Sequence, residues 1–332
     1  TGLGSVVAQE FADMTITVDA GVALPEVQAR MATRGQFLTL EPGDSASATV
    51  GGMLAVDARS DLALGYGKCR DWLIGVEAVD AEGRVVRGGG RVVKNVSGYD
   101  LPKLYTGSLG TLAVLTQATF KVAPIPEAVR TLAVRLDNPV SGPFLEDLRQ
   151  SVDPVAAILF AEPGATPHFI ALFHGAMEAV EGAAGLATEL ARRHQVGPAG
   201  VYSEDLVPAR LPVPLEMAIS GKSAEVPALF ERLRREVGES GAVVIGRVGV
   251  GDVRLRWSHD DDAARSAMQR VRAIATVEGL RSTLLHAPAD MRVPGEPDVW
   301  LPLPASMSLQ RMLKDTLDPA GILNPGRFLG RI

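Results

Sequence analysis

Two short glycine-bearing stretches hold the residue types best suited to gripping a ligand. Thr49-Val50-Gly51-Gly52 follows Pro42-Gly43 in a polar loop, and Gly107-Ser108-Leu109-Gly110-Thr111-Leu112 stands just ahead of a strand-like run. Glycine has no Cβ, so its backbone can approach a ligand closely. Successive free amides can then form an anion-binding concavity. Two such loops in one domain suit an extended, phosphate-bearing cofactor. They also suit a set of tight turns between short strands, the reading that periodicity alone favours. The spacing is neither the dinucleotide fingerprint nor the P-loop.

The other reactive side chains are sparse. Cys69 is the one cysteine, so the chain cannot form an internal disulfide, a thiolate zinc site or an iron–sulfur cluster by itself. A single thiol fits a reducing compartment and reads as inert packing or surface. The histidines are His168, His174, His194, His259 and His286, with no His-x-His pair among them. Each reads as structural, and no base-and-metal constellation is evident. Arg192-Arg193 and Arg234-Arg235 read as solvated helix faces.

These residues need a frame. Alternating Met14, Ile16, Val18 and Ala20 predict a strand over 14–20. A short helix follows, with Pro25 in its first turn and Leu24, Val27 and Met31 on one side. Glycine then fills 13 of the 71 residues from 42 to 112, against 22 of the other 261. Residues 73–79 and 84–87 read as a hairpin, and 112–122 as a further strand. Pro124 and Pro126 punctuate a boundary. From 127 to 289 the pattern runs β-α-β-β-α twice. Strands fall at 131–136, 156–160 and 168–173, then at 215–220, 242–248 and 253–257. Helices fall at 144–151, 180–193, 226–237 and 263–276. This predicts an antiparallel sheet covered by helices. Residues 309–316 read as a helix with Leu309, Met312 and Leu313 on one side, stopped by Asp318-Pro319 and a Gly321–Gly326 turn. The expected division is 1–126, 127–289 and 290–332, in an α+β fold.

Bulk properties narrow the function. The chain has 332 residues, 46% of them hydrophobic and 22% charged, with net charge -6 and pI about 5.5. The lack of a basic patch argues against a nucleic-acid partner. No run of about 18 apolar residues exists, so no direct membrane span is expected.

The motifs in order carry a resemblance. Thr49-Val-Gly-Gly52, Tyr66-Gly-Lys-Cys-Arg-Asp71, Val92-Val-Lys-Asn-Val-Ser-Gly-Tyr-Asp100 and Gly107-Ser-Leu-Gly-Thr-Leu112 resemble the second FAD-binding subdomain of the vanillyl-alcohol-oxidase superfamily, of p-cresol-methylhydroxylase-type fold. The run from Gly89 to Leu101 is most similar to the FAD-binding E-subunit family of glycolate oxidase. The ending Leu313-Lys-Asp-Thr-Leu-Asp-Pro-Ala-Gly-Ile-Leu-Asn-Pro-Gly-Arg327 is also typical of the superfamily. The middle part matches only in its expected role as a cap.

The resemblance implies noncovalent FAD. Pro42, Gly43, Thr49, Val50, Gly51 and Gly52 are expected along the ribityl chain and pyrophosphate, with Ala55 beside the same path. Gly67 is expected close to the flavin. Gly107, Gly110, Thr111 and Val114 are expected to approach the adenosine half through their backbone. Asn324 is expected to reach the isoalloxazine region. Lys94 and Tyr99 read as support for the site or subunit contact, or as a well-packed turn. A covalent flavin link at Cys69 is not expected.

The implied function is that of an electron-transferring FAD subunit, beside a catalytic flavoprotein subunit and an iron–sulfur subunit, in oxidation of glycolate, a 2-hydroxy acid, to glyoxylate. The alternatives are a structural subunit that has lost flavin and a stand-alone D-2-hydroxy-acid dehydrogenase. The latter, like the catalytic partner, is expected to carry a metal-linked histidine pair. The implied location is cytoplasmic, at the inner face of the cell membrane through partner subunits. Two departures stand out. The family places a first FAD subdomain before the strand at Thr15, where this sequence has 14 residues, so an upstream segment is expected. A family glycine expected near position 60 is Ser60 here, and its Cβ would weaken a close flavin contact.

Overall fold

The computed structural model describes residues 2–40, 48–90, 99–208, 212–292 and 299–332. The chain forms two units. The first comprises Thr1–Ser60, Gly67–Ile125 and Leu303–Ile332, and the second Asp61–Tyr66 and Pro126–Pro302. The second unit therefore extends past residue 289, because β16 (Trp300–Leu301) pairs with β15 (Arg281–His286). It also claims the segment 61–66, which falls within the first 126 residues.

The first unit is built on β1 (Val6–Glu10), β2 (Thr15–Asp19), β4 (Leu73–Val79), β5 (Val85–Gly89) and β6 (Val114–Lys121). Among the described residues they form one sheet in the order β1-β2-β6-β4-β5. Small partners are β3 (Gln36–Phe37) and β7 (Ala123–Pro124). The apolar positions Ile16 and Val18 of β2 enter a core with Phe120 of β6. The polar face of β2 is buried too, where the Thr17 and Thr119 hydroxyls lie 2.9 Å apart. A buried hydroxyl needs such a partner, since an unsatisfied one is costly. Helix α1 (Leu24–Ala32) starts with proline in its first turn and buries Leu24, Val27 and Met31, the side legible in its periodicity. The β4–β5 turn is closed by Asp80, whose carboxylate accepts from the amides of Glu82 and Arg84 at 3.0 and 2.9 Å. Short helices α2 (Val50–Ala55), α4 (Cys69–Trp72) and α5 (Leu101–Tyr105), and α10 (Met307–Leu317), complete the unit.

The second unit contains α3 (Ala63–Tyr66), β8 (Ala128–Arg135), α6 (Gly142–Ser151), β9 (Ala156–Ala161), β10 (His168–Gly175), α7 (Met177–Arg193) and β11 (Ala199–Tyr202). A second pass follows: β12 (Leu215–Ser220), α8 (Val226–Val237), β13 (Ala242–Arg247), β14 (Asp252–Trp257), α9 (Asp262–Val277), then β15. Each pass is β-α-β-β-α-β, one strand longer than the sequence pattern predicts. Among the described residues the sheet order is β11-β8-β10-β9-β13-β14-β12-β15-β16. Counted within each pass, the order is 4-1-3-2 and then 2-3-1-4, so the two halves meet through their second strands. That joint is antiparallel, with Ile245 opposite Phe160 and Arg247 opposite Ile158. Two like units meeting by like strands in opposite directions is the geometry of an internal two-fold.

One face of this sheet packs with α6 to α9 around Phe144, Phe169, Phe230 and Trp257. The other carries a smaller cluster, Ile158, Ile170, Leu172 and Ile245, into which Leu62 inserts. The segment 61–66 is seated closely there. The Gly65 amide donates to the Val155 carbonyl at 3.1 Å, and a Cβ on Gly65 would stand 2.8 Å from Val155 Cα. Leu64 occupies the space that a side chain on Gly249 would need. Asp61 pairs with the buried Arg247 at 3.3 Å.

Candidate functional site

The two glycine stretches meet in the first unit. Thr49 caps α2, its Oγ1 accepting from the Gly52 amide at 3.2 Å. The amides that were expected to face an anion are otherwise engaged. Val50 donates to the Val22 carbonyl at 3.0 Å and Gly51 to the Ala20 carbonyl at 2.7 Å. Gly51 is glycine for packing, since a Cβ there would stand 2.9 Å from Ala20 Cβ. The 49–52 loop is therefore a tight splice between α2 and the end of β2, not an open row of donors. Gly52 is exposed at its surface.

From the other end of α2, the Leu54 carbonyl accepts from Gly107 and the Ala55 carbonyl from Leu109, both at 2.8 Å. Leu54 and Ala55 lie in the last turn, where helix carbonyls lack intrahelical donors. The receiving turn is unusual. Gly107, Leu109 and Gly110 have φ of 78, 54 and 70°. A left-handed leucine costs roughly 1–2 kcal/mol and persists only where the surroundings over-determine it. Here they do. Thr111 Oγ1 and its amide both donate to the Ser108 carbonyl, at 2.7 and 3.0 Å. The Asn324 side-chain amide donates to the Leu109 carbonyl. The Lys314 ammonium donates to the Thr111 carbonyl at 2.8 Å.

Lys314 is itself buried and also bonds the Leu323 carbonyl, at 2.8 Å, and Asp318. Asp318 accepts from the Ile322 and Leu323 amides at 3.1 and 2.8 Å. Burial pushes the Asp318 carboxyl up, but Lys314 and those two amides outweigh it and hold it below the ordinary carboxylate range. The superfamily-type ending was legible in sequence, but its lysine and aspartate were not assigned a task. Only their i,i+4 spacing on a helix could have suggested one.

The remaining expected residues fall as follows. Gly67 has φ of 79° and sits on the Lys68–Asp71 turn, with Asp71 Oδ2 3.0 Å from where its Cβ would be. Val114 opens β6 and is exposed. Pro42, Gly43 and Lys94 lie outside the described residues. Tyr99 is 92% exposed. Ser60 is buried. Cys69 is buried, and burial pushes its thiol well above the ordinary range, with Asp57 and Asp71 adding to the shift. Such a thiol is no nucleophile.

Asp57, which the motif reading passed over, has φ of 47° and a buried Oδ1 with no hydrogen-bond partner among the described residues. A Cβ on Gly107 would come within 3.2 Å of its side chain. The histidines are scattered. His194 bonds Asp147 at 2.7 Å and His174 bonds the Tyr66 hydroxyl at 3.0 Å. Among the described residues, no group of three His, Cys, Asp or Glu side chains could hold a metal ion, and no helix is long and apolar enough to cross a membrane.

Residues 2–89, which hold the 49–52 loop and α2 but not the 107–111 turn, match a known family described as the FAD binding domain. The chain is similar to relatives of two kinds. Glycolate oxidase subunit GlcD of Bacillus subtilis (strain 168) is 36% identical over 126 residues, 38% of this chain and 27% of that protein. The chain thus spans under a third of that relative's length. Glycolate oxidase subunit GlcE of Escherichia coli (strain K12) is 26% identical over 332 aligned residues, 98% of this chain and 85% of its own length. Among solved structures, alkyldihydroxyacetonephosphate synthase shares the fold at a TM-score of 0.68 and 17% identity, over 98% of this chain and 67% of that one. The fold is α+β, of the p-cresol-methylhydroxylase type.

FAD fits the FAD-binding unit as the structure describes it. At Gly110 the space a Cβ would fill is nearly open, its nearest neighbour being Asn324 Nδ2 at 3.8 Å. The amides of Gly107, Ser108, Leu109 and Thr111 donate to the carbonyls of Leu54, Tyr105, Ala55 and Ser108, whereas the Gly110 amide has no acceptor among the described residues. Val56 and Val114, 59 and 51% exposed, offer apolar surface in the adjoining stretches of chain.

Proposed function

We propose that this chain is the FAD-binding subunit of a glycolate-oxidase-type complex. It holds FAD noncovalently and passes electrons during oxidation of a 2-hydroxy acid to a 2-oxo acid. The observation that carries the reading is the clasp of Ala55, Leu109 and Asn324 in a unit whose residues 2–89 match the FAD binding domain family. Similarity to a glycolate oxidase subunit along nearly the whole chain supports it. When bound, the flavin supplies the hydride-accepting chemistry, and the protein supplies binding and orientation. The 107–111 turn would hold the adenosine half, and Val114 and Ala55 would flank the cofactor's path. The second unit would act as the cap. Partners would be a catalytic flavoprotein subunit and an iron–sulfur subunit, with the complex cytoplasmic and peripheral to the membrane through them.

The chain is expected not to oxidise glycolate alone, because its sequence has no His-x-His pair and, among the described residues, no group of side chains could hold a metal ion. The test is turnover by the purified chain, FAD-loaded, with an artificial electron acceptor. Turnover at the rate of the whole complex would refute the subunit reading. A second reading, a structural subunit that has lost flavin, is favoured by the engaged amides of Val50, Gly51 and Gly52. A flavin absorbance spectrum of the purified protein separates the two.

A further inference from the structure

Helix α10 is built inside out. Its buried side chain is the cation Lys314, while Leu309 and Met312 are 59 and 60% exposed. Apolar packing cannot explain that arrangement, since burying an ammonium is unfavourable unless all its protons are taken up. An ammonium has three protons. Lys314 directs them to the Thr111 carbonyl, the Leu323 carbonyl and Asp318. Nearby, Asn324 donates to the Leu109 carbonyl. The two carbonyls that the C-terminal segment grips therefore stand on either side of Gly110.

The peptide bond is planar and trans, so a carbonyl and the following amide point in opposite directions. Holding the Leu109 carbonyl toward Asn324 turns the Gly110 N–H away from it. Holding the Thr111 carbonyl toward Lys314 fixes the 111–112 plane, and the 110–111 plane between them is held by the Thr111 amide, which donates to the Ser108 carbonyl at 3.0 Å. We propose that Lys314 and Asn324 are positioning residues: they clamp the two peptide planes so that the Gly110 amide is presented as a fixed donor to an acceptor on the adenosine side of FAD. Asn324 would then act through the turn and not on the isoalloxazine ring. Asp318 sets the clamp by holding both Lys314 and the amides of Ile322 and Leu323. The inference rests on the FAD reading above.

The test uses the full chain with Lys314→Met, which keeps length and removes charge, and Asn324→Gly. Asn324 has φ of 45°, a conformation glycine adopts freely, so that change removes the amide without straining the backbone. FAD and FMN affinities are measured by flavin fluorescence, and hydrogen exchange at residues 107–112 is measured without flavin. Each variant is expected to weaken FAD about tenfold or more, the effect of losing one well-placed hydrogen bond. FMN, which lacks the adenosine half, should bind as before, and exchange at 107–112 should quicken. Unchanged FAD affinity, or an equal loss of FAD and FMN, overturns the clamp and leaves a merely structural tie. A wild-type chain that binds neither flavin overturns the FAD reading. Exchange at 107–112 then still decides the clamp, since an unchanged rate there removes it.

Discussion

Single residues in the glycine-rich region have opposite reasons for being what they are. Gly51 is glycine because Ala20 leaves no room for a side chain. Gly110 is glycine because of a left-handed turn with open space beyond it. Sequence alone makes both look like phosphate contacts, because it records the missing Cβ and not what stands where the Cβ would be. Gly51→Ala is expected to lower the stability of the FAD-binding unit by about 1–3 kcal/mol, the range for overpacking a close contact. A urea titration followed by hydrogen exchange over residues 15–32 would check it, and an unshifted midpoint would contradict it.

His174 gives a pH-dependent case. Burial lowers its proton affinity, with Asp205 acting the other way. The folded state thus binds this proton less readily than the unfolded chain. Its contribution to stability is complete above the ordinary imidazole value of about 6.5 and is lost as pH falls through the lower folded value. His174→Asn should flatten the fall in unfolding midpoint between neutral pH and about pH 5. A wild-type midpoint that does not drop over that interval would rule the effect out.

At the scale of elements, periodicity did well where one face of a helix or strand meets a core. Helices α1 and α8 and strands β9, β10, β12 and β14 lie where alternation or 3.6-residue spacing put them. It failed where residues are few or exposed. Strand β11, Ala-Gly-Val-Tyr, is largely exposed at a sheet edge, and α2 to α5 are too short to show a period. These short helices are held by caps and by partners far along the chain, as α2 is by the 107–109 amides. Such contacts leave no local signature.

Arg247 shows an element-level dependence of the same kind. It is 1% exposed at the end of β13, bonded by Asp252 of β14 and by Asp61 from the early segment. Removing one member of a buried ion pair costs about 3–5 kcal/mol. Asp252→Ala is expected to lower the stability of the second unit by an amount of that order and to loosen the Asp61–Tyr66 segment with it. Thermal unfolding, with limited proteolysis near residue 61, would report both. A melting curve like that of the unaltered protein would refute the dependence.

For the molecule as a whole, two units with separate cores predict more than one unfolding step, since two-state behaviour is a property of single domains. If FAD binds only the first unit, saturating FAD should raise that unit's transition alone. At about 100-fold excess over the dissociation constant the gain is about 2.7 kcal/mol. Calorimetry with and without FAD distinguishes this from binding that stabilises both units together.

The Asp61–Tyr66 segment bears on how such a molecule can be cut or recombined. Its coding sequence lies inside that of the FAD-binding unit, yet Leu62, Gly65 and Asp61 are fitted to Ile158, Val155 and Arg247 of the other unit. Grafting a foreign second unit between residues 125 and 303 would strand these side chains against a surface never matched to them. A gene truncated after residue 126 would carry away part of its neighbour's interior. A workable chimera must exchange both stretches, so the two halves of this protein are expected to be inherited as a linked pair of inserts and to tolerate shuffling only when both travel together.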